Sequence, residues 1–173
     1  NNARTMPWKV AIEPFRVAPR VWYVGNTWVG SFLIQTSEGL ALIDTTVMED
    51  LYLLIDSIHR LGFDPKDLKH IFLTHAHMDH DGAARALKEL TGAKVWLSRE
   101  DEEWRHRPEA DMSDTGFSIV PYETDCFYED ETPIVMGDVV IRTRLSAGHT
   151  PGTTSFFVEM KDEEGKTVVW GMH

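Results

Sequence analysis

Four side chains able to bind a metal ion fall within one short run, His75-Ala-His77-Met-Asp79-His80. Two imidazoles placed two residues apart in an extended segment point to the same side and can converge on one ion. Asp79 and His80 follow at once and offer a carboxylate and a further imidazole from the turn into a helix. The pattern H-x-H-x-D-H has a chance expectation on the order of 10⁻³ in a chain with this composition. An isolated histidine is ordinarily a hydrogen-bonded surface or core residue, and His59, His70 and His106 are read that way. The cluster is read as a metal site. Zinc held by three imidazoles keeps a fourth position for water, whose pKa falls toward about 7. The third imidazole is expected from His149, in the Gly- and Pro-rich turn Ser146-Ala-Gly148-His149-Thr150-Pro151-Gly152. Asp79 and His80 then serve a second ion, and Asp79, as the catalytic carboxylate, can orient the nucleophile. The single cysteine, Cys126, leaves no intrachain disulfide and no cysteine cluster, so His, Asp or Glu must supply the ligands.

These residues need elements to hold them. Ile71-Phe72-Leu73 reads as a short buried strand running directly into the cluster, and Ala84, Leu87 and Leu90 mark a helix beyond it that Gly92 closes. Before it, Leu51, Leu54, Ile55, Ile58 and Leu61 form an apolar stripe of helical spacing, capped by Gly62. Val21–Val24, Ser31–Gln35 and Leu40–Ile43 read as a β-meander, with Thr36–Gly39 as a hairpin turn. Val95–Leu97 completes a β-α-β-α-β order, and a strand running into a helix is where α/β proteins commonly build sites. Residues 1–20, with Pro7, Pro14 and Pro19, suit an extended N-terminal arm rather than a helix. A charged helix is expected over Arg99–Arg107 and a polar excursion from Pro108 to about residue 130, which reads equally as a lid or a surface loop. Val139–Leu145, Ser155–Met160 and Thr167–Trp170 return as strands. Trp28, Trp104, Phe117 and Tyr128 are candidate groove walls, although aromatic residues more often pack.

The whole, residues 1–173, is read as one domain with an apolar share of 42%. A net charge of −11 disfavours nucleic acid as partner, since phosphate-binding surfaces gather Lys and Arg. No run approaches the ~18 apolar residues of a membrane span, and no signal pattern opens the chain. The expected partner is a small-molecule substrate, with no nucleic acid and no membrane. The compartment stays open, with a slight lean to the cytoplasm.

Four stretches, Leu42-Ile43-Asp44-Thr45, Thr74–Gly82, Gly148–Gly152 and Val168–Gly171, together resemble the metallo-β-lactamase superfamily, in the family's order. Within it the chain is most similar to the β-lactamase subclass with His/His/His and Asp/His/His zinc sites. The resemblance implies an α/β fold, the αββα sandwich, of which the chain would carry the N-terminal half to two-thirds. It implies His75, His77 and His149 as ligands of one zinc, Asp79 and His80 as ligands of the other, and Asp44 bracing the ligand loop from behind; an ordinary cap before the helix is the plainer reading of Asp44. Two Zn²⁺ are expected, or one if the chain is truncated. Many members carry a bridging Asp where this chain has Met172, which argues against the thioesterase-like and iron-containing branches. His173 lies too close to the fourth stretch to be the family's final histidine. The expected function is a zinc-dependent hydrolase that cleaves an amide or ester bond, β-lactam or lactone-like, through a metal-bound hydroxide. The alternatives are a glyoxalase-type thioesterase and a catalytically silent zinc-binding domain. A half sandwich would expose one face of its sheet, so a homo-oligomer or association with a missing C-terminal part is expected.

Overall fold

A computed structural model describes residues 1–173. The N-terminal arm departs from the extended reading. It opens with one helical turn, α1 (Asn2–Thr5), because Asn1 is a good cap: its side-chain oxygen accepts from Ala3 N at 2.9 Å. Ala3 and Val10 bury against Val47, Met78 and Phe117, so the arm packs under the cluster segment. It ends in strand β1 (Phe15–Ala18), where Phe15 stacks on Tyr23.

Strand β2 (Val21–Tyr23) pairs with β1, and β3 (Phe32–Thr36) and β4 (Gly39–Ile43) extend the antiparallel run. Every position of β4 after Gly39 is apolar because both its faces are covered. Leu40 and Leu42 face the helices, whereas Ala41 and Ile43 face the second sheet. Helix α2 (Leu51–Arg60) follows the predicted stripe, and Gly62 takes the left-handed conformation (φ 84°) expected just past a helix end. Strand β5 (Leu68–Phe72) then pairs parallel to β4. A single turn, α3 (Met78–Asp81), and helix α4 (Ala84–Thr91), closed by Gly92, lead to the parallel strand β6 (Lys94–Leu97). The charged helix α5 (Arg99–Trp104) is shorter than its expected span. Inside the excursion lies a two-residue parallel strand, β7 (Cys126–Phe127), too short to show any alternation in sequence.

A second, antiparallel sheet contains β8 (Ile134–Met136), β9 (Val139–Leu145), β10 (Thr154–Lys161) and β11 (Thr167–Met172), in the order β11-β10-β9-β8. Strand β8 was not expected, although Gly137-Asp138 is a hairpin signal between it and β9. Two cores result. One joins α2 and α4 to the first sheet through Leu54, Ile58 and Leu87 against Leu33, Leu42 and Ile71. The other fills the gap between sheets, with Ile34, Ile43 and Phe72 against Ile141, Phe156 and Val158. The layers are therefore helix, sheet, sheet: three of the four in an αββα sandwich. On the outer face of the second sheet Phe157 and Val169 are exposed. No helix is long and apolar enough to cross a membrane.

Candidate metal centre

The cluster lies where β5 ends, beside the first residues of β10: Thr154 N donates to Thr74 O at 2.9 Å, tying the two sheets together at this point. His75, His77 and His149 each present a ring nitrogen, and the three atoms lie within 4.8 Å of one another. His77 Nδ1 and His149 Nε2 are 3.0 Å apart. The His80 ring centroid is 4.1 Å from that of His75, and His80 Nε2 lies 3.6 Å from Asp79 Oδ2. The five predicted donors thus form a group of three imidazoles with a neighbouring imidazole–carboxylate pair. His173 is not among them, since its Nδ1 bonds Ser155 Oγ. Met172 packs at the margin of the inter-sheet core and brings no carboxylate. His70 accepts from Trp96 Nε1 at 2.9 Å and His106 sits beside Glu102, so both have ordinary roles.

Asp44 settles which ring nitrogens are free. It is buried at the end of β4 with a left-handed backbone (φ 61°), and Thr46 shares that geometry (φ 60°), a strained pair of the kind found at functional sites. Asp44 Oδ1 accepts from Thr74 N, and Oδ2 lies 2.8 Å from Thr74 Oγ1 and 2.7 Å from His80 Nδ1. An ionised carboxylate only accepts. Thr74 therefore donates its hydroxyl proton to Asp44 and accepts, at 2.9 Å, from His75 Nδ1. Both His75 and His80 are then protonated on Nδ1, which leaves their Nε2 lone pairs free. Asp44 is no helix cap; α2 begins beyond a separate turn at Met48–Asp50. Thr45 adds to the brace, because its N–H and hydroxyl both donate to the His80 carbonyl. Gly82 completes it: a Cβ there would lie 2.3 Å from Met78 O and 2.9 Å from Met48 N.

The donor set fits a divalent transition ion. His75 Nε2 is buried and has no hydrogen-bond partner, a state that costs free energy and that an ion sharing His77 and His149 would relieve. Burial, with the neighbouring His80, His77 and His149, lowers the His75 pKa to about 2, so the ring stays neutral and ready to ligate. His77 is lowered by burial and by His149. His80 is raised: burial opposes its charge, but the Asp44 carboxylate together with Asp79 and Asp81 outweighs burial. Chemically, three imidazoles with room for a further ligand suit Lewis-acid activation of water or a carbonyl.

The four aromatic candidates separate. Trp104 packs edge-on to the His77 ring at 5.3 Å, and Trp28 stacks on Phe117. Tyr128 lies in the inter-sheet core and is packing. A cavity of about 460 Å³ lined by Met78, Asp81, Arg105, Met112 and Tyr122 backs the cluster segment but touches none of the five donors. Sequence reading missed Asp101, whose side chain bonds Ala76 N, Thr150 Oγ1 and Gly152 N. The one signal available was Ser98-x-x-Asp101 at the start of α5, a capping pattern.

Residues 29–171 match the family model described as the metallo-beta-lactamase superfamily. Among solved structures, the chain is similar to the metallo-beta-lactamase GOB-18 from Elizabethkingia meningoseptica at 33% identity and TM-score 0.87, covering 97% of this chain and 63% of that one. It is likewise similar to BJP-1, a subclass B3 metallo-beta-lactamase of Bradyrhizobium japonicum, at 28% identity and TM-score 0.87, covering 97% and 64%. Among curated proteins, the N-acyl homoserine lactonase AttM of Agrobacterium fabrum is 28% identical over 64% of this chain and 43% of its own length. The N-acyl homoserine lactonase of Bacillus thuringiensis is 27% identical over 78% and 59%. The chain spans less than two thirds of each of these relatives.

Proposed function

We propose that this chain, which belongs to the metallo-beta-lactamase superfamily, carries the metal centre of a zinc-dependent hydrolase acting on a cyclic amide or ester. The observation that carries the reading is the buried, unpartnered His75 Nε2, set among His77 and His149 with its tautomer fixed from behind by Thr74 and Asp44. His75, His77 and His149 would hold one ion; Asp79 and His80 would contribute to a second. Zinc in such a site supplies Lewis acidity toward a carbonyl oxygen and lowers the pKa of water.

The chain's own residues do the rest. Asp44 and Thr74 hold the His75 and His80 protons on Nδ1, which would leave both Nε2 lone pairs for an ion. Asp79, whose carboxylate stays partly open to solvent beside His80 Nε2, would orient the attacking water. Trp104 walls the His77 side of the centre. Both a β-lactam and a lactone are candidate substrates, because the similar solved structures are metallo-beta-lactamases and the similar curated proteins include N-acyl homoserine lactonases.

The test is elemental analysis of the purified chain after zinc loading, together with turnover of a chromogenic cephalosporin and of an N-acyl homoserine lactone. Two zinc equivalents, with cephalosporin turnover that Asp79→Asn abolishes and His149→Ala abolishes together with one zinc, support the reading. Zinc without turnover of either substrate refutes the hydrolase.

A further inference from the structure

Helix α5 reads Arg-Glu-Asp-Glu-Glu-Trp, a solvated acidic helix by composition, yet Asp101 within it is fully buried. Ser98 caps the helix by accepting from Asp101 N. The Asp101 carboxylate does not return to the cap; it reaches two loops at once. Its Oδ2 accepts from Ala76 N and from Thr150 Oγ1, both at 2.8 Å, and Oδ1 accepts from Gly152 N at 2.7 Å. Ala76 sits between His75 and His77, and Thr150 follows His149. One side chain therefore grips both ligand-bearing loops next to the ligands themselves. All three partners donate, which suits an acceptor-only group, and Asp101 makes no ion pair with Lys, Arg or His. Gly152 is fitted to this contact: a Cβ there would lie 2.0 Å from Ser98 Oγ and 2.7 Å from Asp101 Cγ.

We propose that Asp101 is the positioning residue that sets the distance between the His75–His77 loop and His149, and so the affinity of the three-histidine centre for its ion. This rests on the reading that those histidines share one ion. The carboxylate acts in two ways. It fixes the loop separation through its three bonds, and it supplies a buried negative charge whose balancing positive charge is the incoming ion.

The decisive variant is Asp101→Asn. Whichever way the amide turns, its NH2 faces a backbone N–H, that of Ala76 or that of Gly152, so one loop is released. Zinc affinity, measured by competition with a chelating dye, is expected to fall about 10- to 100-fold, the range for loss of a partner behind a ligand. The visible absorption of the cobalt(II)-loaded chain should change with it. In metal-free protein, the nuclear Overhauser contact between the His77 and His149 rings, whose centroids are 4.6 Å apart, should weaken. Gly152→Ala, which pushes the same loop away, should act in the same direction and serves if Asp101→Asn does not fold. Leu54→Ala, equally buried but in α2, should lower the melting temperature and leave zinc affinity unchanged. Unchanged affinity in both loop variants, or an equal loss in Leu54→Ala, overturns the proposal. Wild-type zinc binding without hydrolysis would refute the proposed reaction only. A wild-type chain that takes up no zinc would refute the metal reading, and the ring contact in metal-free protein would still decide whether Asp101 holds the loops.

Discussion

Replacing Asp44 by Asn tests the claim that a proton relay behind the centre decides which imidazole nitrogens are free. The substitution keeps shape and backbone, since Asn tolerates the left-handed φ of 61° at this position. The Oδ1 bond from Thr74 N survives, but an NH2 replaces the Oδ2 that receives both Thr74 Oγ1 and His80 Nδ1. That NH2 would donate to Thr74 Oγ1, turn its hydroxyl toward His75 Nδ1, and so move the His75 proton to Nε2, the buried unpartnered atom that would meet an ion. It would also confront the His80 Nδ1 proton. Losing the charge-assisted bond to His80 costs about 2 kcal/mol, and reversing the Thr74–His75 bond about 1 kcal/mol. Together these correspond to a fall in zinc affinity on the order of 10²-fold. Dye competition gives the affinity, and ¹⁵N shifts of the metal-free imidazoles report the tautomer directly. Wild-type affinity in the variant, or a wild-type His75 protonated on Nε2, would refute the relay.

Two further outcomes follow from residues away from the donors. Burial, with Glu49 adding and the Asn26 hydrogen bond opposing, pushes the Asp50 carboxyl up to about 6. The native state then holds this proton more tightly than the unfolded chain, so wild type loses stability as pH rises from about 4 to 6 and does not recover it above; Asp50→Asn should therefore gain on the order of 3 kcal/mol at alkaline relative to acid pH. Urea unfolding at both pH values checks this, and an equal effect at the two would contradict it. Phe156 fills the gap between the sheets against Phe72 and Tyr128, so Phe156→Ala should cost about 3–5 kcal/mol in the same assay, whereas a cost under about 1 kcal/mol would mean the sheets collapse onto the space.

Much of the site was legible because its signal is local. His75, His77, Asp79 and His80 lie in one run, His149 lies in a Gly- and Pro-rich turn, and β4, α2, β5 and α4 announce themselves through apolar periodicity. Residue type and spacing alone therefore determined the donor chemistry and the strand-to-helix setting that presents it. The helical turn in the arm and the two residues of β7 are too short to leave a period, and β8 was recoverable only from its hairpin turn. Tertiary structure alone decided which nitrogen of each imidazole is free, since that depends on Asp44 meeting Thr74 and His80 across 30 and 36 residues of sequence. It alone decided the role of Asp101, which by composition belongs to a solvated acidic helix and becomes a clamp only where the fold buries it 25, 49 and 51 residues from its three donors. The identity of candidate donors is a property of side chains and is written along the chain; their protonation and spacing are set by hydrogen bonds between segments distant in sequence, whose partners leave no pattern until the chain has folded.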